Sequence, residues 1–257
     1  VTYEEIQEEI QEKKIIKGII KKNLCVFLTH NFNPIFLNKI KEFDKIKNDK
    51  IDIIILFDKK SNNQNNMIND IRKQLHNIKI IDSSILKNCS YDIYGHTMYI
   101  KYFKENIHYM DNYEYFWFIE NDTFINFPLD IFVNNYNDYS NEFLSPEIGL
   151  RSKSWKWLHT LKGFTNKYNV GCLCCIIRLK QNILKDLIND IDSKYRGYLE
   201  ILLTNLVYEK NYSMVCFKPE DIGIVNVYGG PLINLIRGDI ENNSNKFIER
   251  KIYHPIK

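Results

Sequence analysis

The sequence predicts an α/β fold with a mostly parallel central sheet flanked by helices. Three observations carry that prediction. Short apolar runs recur early in the chain, at Leu24–Leu28, Ile51–Phe57, Ile78–Ile81 and Tyr113–Ile119. They are apolar at most positions on both faces, as strands covered by helices on either side must be. Polar or amphipathic stretches of helical length lie between them, so strand and helix alternate.

The elements follow in order. Residues 1–23 read as a leading helix packed outside the core. Acids (Glu4, Glu5, Glu8, Glu9) precede bases (Lys13, Lys14, Lys17, Lys21, Lys22), which suits the helix dipole, and Ile6, Ile10, Ile15 and Ile19 form an apolar stripe. The first strand, Leu24–Leu28, ends in Thr29-His30-Asn31, and Pro34 opens a helix running to about Ile46. Ile51–Phe57 is the second strand and stops at Asp58. A helix near Met67–His76, a third strand at Ile78–Ile81, a helix at about Thr97–Asn106 and the strand Tyr113–Ile119 follow. Residues 126–168 include Pro128, Pro146, Trp155 and Trp157 and read as loops with short elements. One strand, Asn169–Ile177, is entered through Gly171. Tyr198–Val207 is a helix, Met214–Phe217 another strand, and Ile252–Lys257 a short, polar-tipped tail. With no repeat and no linker, residues 24–257 form one domain.

Composition narrows the function. The chain has 257 residues, is 44% hydrophobic and 14% aromatic, and carries a net charge of +3. That length buries a sizeable core, and the aromatic content argues against disorder. The charge is too small for a nucleic acid partner, the lysines are spread out, and no basic block has the aromatic interleaving of a nucleic acid surface. No run of 18 apolar residues spans a membrane, and no signal peptide is visible. The chain opens on Val1 rather than Met, as a piece of a longer protein would. Six cysteines (Cys25, Cys89, Cys172, Cys174, Cys175, Cys216) show neither zinc-ligand spacing nor a disulfide framework, which points to the cytoplasm or another reducing compartment. No G-x-G-x-x-G follows the first strand and no P-loop motif occurs, which counts against a dinucleotide enzyme or a P-loop NTPase.

The strand Tyr113–Ile119 stops at Glu120-Asn121-Asp122. Two carboxylates two residues apart fall on the same side of an extended chain. In α/β sheets, ligands bind at the carboxyl ends of strands. Hard oxygen ligands there suit Mn²⁺ or Mg²⁺, and such an ion suits a diphosphate. The alternative is a strand end with two solvated acids.

Taken in order, these features resemble GT-A-type, nucleotide-sugar-dependent glycosyltransferases over about residues 24–257. The resemblance rests on a D-x-D-like motif (Glu120-Asn121-Asp122), a glycine-entered strand (Asn169-Val170-Gly171), a carboxylate opening a helix (Glu200) and a C-terminal histidine (His254). It implies a Rossmann-like sheet, a nucleotide-binding half at about 24–125 and an acceptor-binding half at about 126–257. It also implies a metal held by Asp122, with Glu120 bound directly or through water, and by His254. Donor contacts would come from Thr29, His30, Asn31, Asp58, Asn121 and Lys257, with Tyr91 and Lys101 near the nucleotide. Glu200 has two readings: an acid favoured by the helix dipole, or the general base for an acceptor hydroxyl. Trp155, Trp157 and Gly171 would shape the acceptor side, with simple core packing as the indoles' other role; Arg151 and His159 lie nearby without an assigned role. The implied partners are a nucleotide sugar, a UDP-sugar first among them, and a carbohydrate or glycoprotein acceptor. Two other classes stay open: a nucleotidyltransferase acting on sugar phosphates, and a non-catalytic nucleotide- or glycan-binding module.

Overall fold

The computed structural model describes residues 22–46, 48–58, 64–82, 97–190, 194–225, 231–242 and 251–256. The first half runs β1 (Asn23–Thr29), α1 (Pro34–Phe43), β2 (Ile51–Phe57), α2 (Gln64–Arg72), β3 (Lys79–Asp82), α3 (Thr97–Glu105), β4 (Tyr115–Glu120), β5 (Phe124–Ile125) and α4 (Leu129–Asn134). The second runs β6 (Phe143–Ser145), β7 (Ile148–Leu150), β8 (Val170–Cys172), β9 (Ile176–Lys180), α5 (Gln181–Asp190), α6 (Leu199–Glu209), β10 (Met214–Cys216), α7 (Pro231–Asn242) and β11 (Ile252–Tyr253). The leading segment 1–21, Cys89, Tyr91 and Lys257 lie outside the described residues.

The main sheet has seven strands in the order β10-β6-β9-β4-β1-β2-β3. Strands β1 to β4 are mutually parallel, β10 is parallel to β6, and β9 runs antiparallel to both β4 and β6. This is the α/β arrangement expected, a mostly parallel central sheet, with one reversed strand inside it. The register sets Leu28 against Glu120 and Thr29 against Phe57, so β1, β2 and β4 end at one edge.

Alternation in the strands divides the core between two faces. Leu24, Val26, Leu28, Phe116 and Phe118 pack on one side; Cys25, Phe27, Trp117 and Ile119 pack on the other. Burying each large side chain contributes roughly 1.5–3 kcal/mol. Trp117 is fully buried, and its indole N–H donates to Asn23 Oδ1 at 2.9 Å, so the ring enters the core with its polar atom satisfied. Helix α1 starts where the sequence places it: Asn33 caps it by accepting from the Phe36 N–H at 2.8 Å, with Pro34 in the first turn.

Two expectations need correction. The single strand Asn169–Ile177 is two strands: β8 pairs with β7 in a two-stranded sheet, while β9 enters the main sheet. The link between them is tied down by Ser145 Oγ, which donates to the Leu173 carbonyl at 2.7 Å, and by the Cys175 carbonyl, which accepts from the Glu120 N–H at 2.9 Å. Both halves are buried, so one apolar run conceals the change of sheet. The tail is not polar-tipped over its described length. β11 pairs antiparallel with β5, and Ile252, Tyr253, His254 and Ile256 are each no more than 4% exposed.

Candidate metal and donor site

The edge where β1, β2 and β4 end carries the site. β4 delivers Glu120, the turn after it delivers Asp122, and the β5–β11 pairing returns the tail to the same place. His254 Nε2 lies 3.3 Å from Glu120 Oε2 and 3.3 Å from Asp122 Oδ1. One ligand atom from each of the three residues falls within 4.8 Å of the others. His254 is 4% exposed, so the group is closed on the tail side.

Two carboxylates and one imidazole nitrogen form a donor set that fits Mn²⁺, and Mg²⁺ less well. Burial, the largest influence on His254, disfavours its charged form. The hydrogen bonds and charges of Asp122 and Glu120 outweigh it and lift the imidazole to about 9. Without a cation the protonated imidazole faces both carboxylates, and a metal has to displace that proton.

Glu200 sits in the first turn of α6, after the cap residue Tyr198. Burial chiefly, and then the charge of Glu120, raise its carboxyl to about 7; Arg151 and His254 pull the other way, and Glu147 adds to the rise. The Glu200 side chain is thus within electrostatic reach of the triad. Its backbone carbonyl accepts from the Cys172 thiol at 3.2 Å, which fixes the helix start against β8. Burial also pushes the Cys174 and Cys175 thiols well above their usual range, so both favour the neutral thiol.

The strand-end residues gather as the sequence indicated, though with different access. Asn121 Nδ2 donates to Asn31 Oδ1 at 3.1 Å, joining the ends of β4 and β1. Asn31 and His30 are exposed. Thr29 and Asp58 are only 1% and 2% exposed, and Thr29 Oγ1 accepts from the Asn31 N–H at 3.1 Å. These two build the edge more than they face a ligand. Lys101 lies on α3, half-buried.

On the other side of Glu200, Trp157 stacks on Tyr198 with ring centroids 4.0 Å apart and planes 13° off parallel. Arg151 pairs with Glu147 and lies over the Trp155 ring at 5.4 Å. Gly171 makes room for both: a Cβ there would come within 2.8 Å of the Trp155 ring and 2.9 Å of Arg151 Nε. Trp155 and Trp157 are half-buried, so they serve the core and the surface together. His159 is exposed in a short 3₁₀ turn. Sequence reasoning missed Tyr198 and Glu147. The i,i+4 spacing of Glu147 and Arg151 was a visible signal for one; nothing local marked the other.

No family model matches the chain, and no curated protein matches it. Solved structures do. The apo form of mouse xyloside xylosyltransferase 1 aligns over 91% of this chain and 97% of its own, at 10% identity and a TM-score of 0.45. S. aureus TarS 1–349 aligns over 89% and 67%, at 12% identity and 0.43. The 4-diphosphocytidyl-2C-methyl-D-erythritol synthase of Anaerococcus prevotii aligns over 79% and 90%, at 13% identity and 0.43. At such scores the likeness is one of overall layout and carries no argument about chemistry.

Proposed function

We propose that this chain is a metal-dependent glycosyltransferase that moves a sugar from a nucleotide-sugar donor, a UDP-sugar first among them, to a hydroxyl of a glycan or glycoprotein. The observation that carries the reading is the convergence of Glu120, Asp122 and His254 at the end of β4, with the half-buried carboxyl of Glu200 in electrostatic reach.

Asp122, His254 and Glu120 would hold Mn²⁺ or Mg²⁺. A divalent ion there supplies charge stabilisation to a diphosphate leaving group. Asn31 and Asn121, already joined to each other, offer amide donors and acceptors to the nucleotide, with His30 at the rim. Glu200 takes the proton of the acceptor hydroxyl in an inverting transfer; a value near neutrality suits a general base. In a retaining transfer the same carboxylate orients the acceptor, and the anomer of the product decides between the two. Trp155, Trp157 and Gly171 form the acceptor side.

Nucleotidyl transfer through two ions calls for a second set of acids. Among the described residues, Glu120, Asp122 and His254 are the only group of three that could hold a metal, and Asp130 lies apart from them in the first turn of α4. Glycosyl transfer is therefore preferred. Calorimetric titration of UDP with and without Mn²⁺ tests the reading. Binding that requires Mn²⁺ supports it, and absent or metal-independent binding overturns it. A donor-hydrolysis screen then separates an active enzyme from a binding module.

A further inference from the structure

One stretch of the chain departs from its overall charge balance. From Ile148 to Asn169 there is no Asp or Glu, while Arg151, Lys153, Lys156, Lys162 and Lys167 supply five cations in a chain whose net charge is +3. The aromatic residues Trp155, Trp157, Phe164 and Tyr168 are interleaved with them, a local pattern that the chain-wide dispersal of lysines conceals. Lys153, Lys156, Lys162 and Lys167 are exposed.

The fold sets two of these cations, Lys156 and Lys162, beside the start of α6, which carries Glu200. Lys156 Nζ lies 4.4 Å from the centre of the Trp157 ring, which stacks on Tyr198, the residue capping α6. Lys162 and Arg196 exchange backbone hydrogen bonds at 2.9 and 3.1 Å, which brings Lys162 alongside the segment leading into α6. Among the described residues, Glu147 is held by Arg151, and the stretch from Ile148 to Asn169 carries cations and no acid. That stretch favours an anionic ligand.

We propose that the acceptor is an anionic glycan whose acidic groups are held by Lys156 and Lys162 beside the Trp157–Tyr198 stack. This rests on the glycosyltransferase reading and names the substrate class of that site. Aromatic faces suit sugar C–H faces, and flexible lysines suit dispersed phosphate or carboxylate groups. Nucleic acid fits less well, because the whole chain carries a net charge of only +3.

The test compares the full chain with a variant carrying Lys156→Gln and Lys162→Gln. The probes are oligogalacturonate, a phosphorylated mannan oligosaccharide, neutral dextran of equal length, a single-stranded oligonucleotide and anionic phospholipid vesicles. The wild-type chain should bind one or both anionic glycans at least ~10-fold more tightly than dextran, with affinity falling as salt rises. The carboxylate and phosphate arms identify which acidic group is read. The variant should lose that preference while its Mn²⁺-dependent UDP binding stays unchanged. Equal binding to dextran, tighter binding to oligonucleotide or vesicles, or an unaltered preference in the variant overturns the proposal. UDP titration of the wild-type chain is scored separately, so failure of the glycosyltransferase reading is distinguishable from failure of this one.

Discussion

His254 Nε2 lies 3.3 Å from Asp122 Oδ1, and two residues later the Ile256 N–H donates to the Asp122 carbonyl at 2.8 Å. The end of the chain grips one residue of the metal turn twice, by side chain and by backbone. The β5–β11 pairing and the His254 N–H donating to the Ile224 carbonyl at 2.9 Å hold the tail in that position. Site and fold therefore share contacts at this point.

The first prediction concerns stability. Removing residues 254–257 deletes a side chain that is 2% exposed, Ile256, and two backbone hydrogen bonds. Burial of an isoleucine contributes about 2 kcal/mol and each hydrogen bond about 1 kcal/mol. The truncated chain should lose on the order of 4 kcal/mol in urea unfolding. An unchanged midpoint and slope would show that the tail is only a ligand carrier.

Asp122→Ala removes the carboxylate that lies 3.3 Å from His254 Nε2. Mn²⁺-dependent UDP affinity should fall by at least the ~10–100-fold that loss of even an outer-shell partner costs a metal site. Calorimetry checks it, and normal Mn²⁺ affinity in the variant refutes the ligand assignment.

What the sequence disclosed follows from how locally each feature is encoded. β1, β2 and β4 were legible because both faces of each are apolar. The acids at 120 and 122 were legible because they end such a run abruptly. Thr29 and Asp58 were found as strand ends, but their burial depends on packing that no local pattern carries. β5 and β11 are two residues each and exist only as a pair, so the sealing of the tail was invisible. α5 and α7 were not read either. β9 was hidden inside a longer apolar run, and its reversed direction is a property of the sheet rather than of its residues. Tyr198 gains its place through Trp157 and Thr160, both far earlier in the chain.

Gly171→Ala should act on the acceptor side alone. The added Cβ would meet the Trp155 ring at 2.8 Å and Arg151 Nε at 2.9 Å, so one or both must move. Such crowding typically costs 1–3 kcal/mol, and half-buried side chains place this site at about 1 kcal/mol. Indole fluorescence should shift and transfer to acceptor should weaken, with UDP binding retained. Loss of UDP binding would place Gly171 on the donor side instead.

Arg178 is fully buried on β9. Its guanidinium donates to the carbonyls of Tyr136, Tyr139 and Asn141 and lies 4.2 Å from the centre of the Tyr115 ring. Arg178→Met strands three carbonyls that the planar fork satisfies together. The variant should be destabilised by on the order of 3–5 kcal/mol in urea unfolding, while its folded fraction binds UDP normally. A loss under 1 kcal/mol would mean that water replaces the guanidinium.

Glu200→Gln separates catalysis from stability. Transfer should fall by about 10²–10⁴-fold while UDP binding persists, as removal of a general base requires. The stability effect has the opposite sign. Burial and the charge of Glu120 raise the folded-state value from 4.5 to about 7, so between those values the native chain holds a proton that the unfolded chain releases. Wild-type stability therefore falls, on this group's account, as pH rises from 4.5 to 7, and then levels off. Glutamine has no such proton to lose. In EDTA, the variant should gain on the wild type across that window by on the order of 2 kcal/mol, or about 5 °C in Tm for a domain of this size. Thermal melts of both chains at pH 5 and pH 8 measure the difference directly. A constant gap between the two curves would mean that Glu200 ionises in the folded chain as it does in water, and the general-base assignment would lose its physical basis.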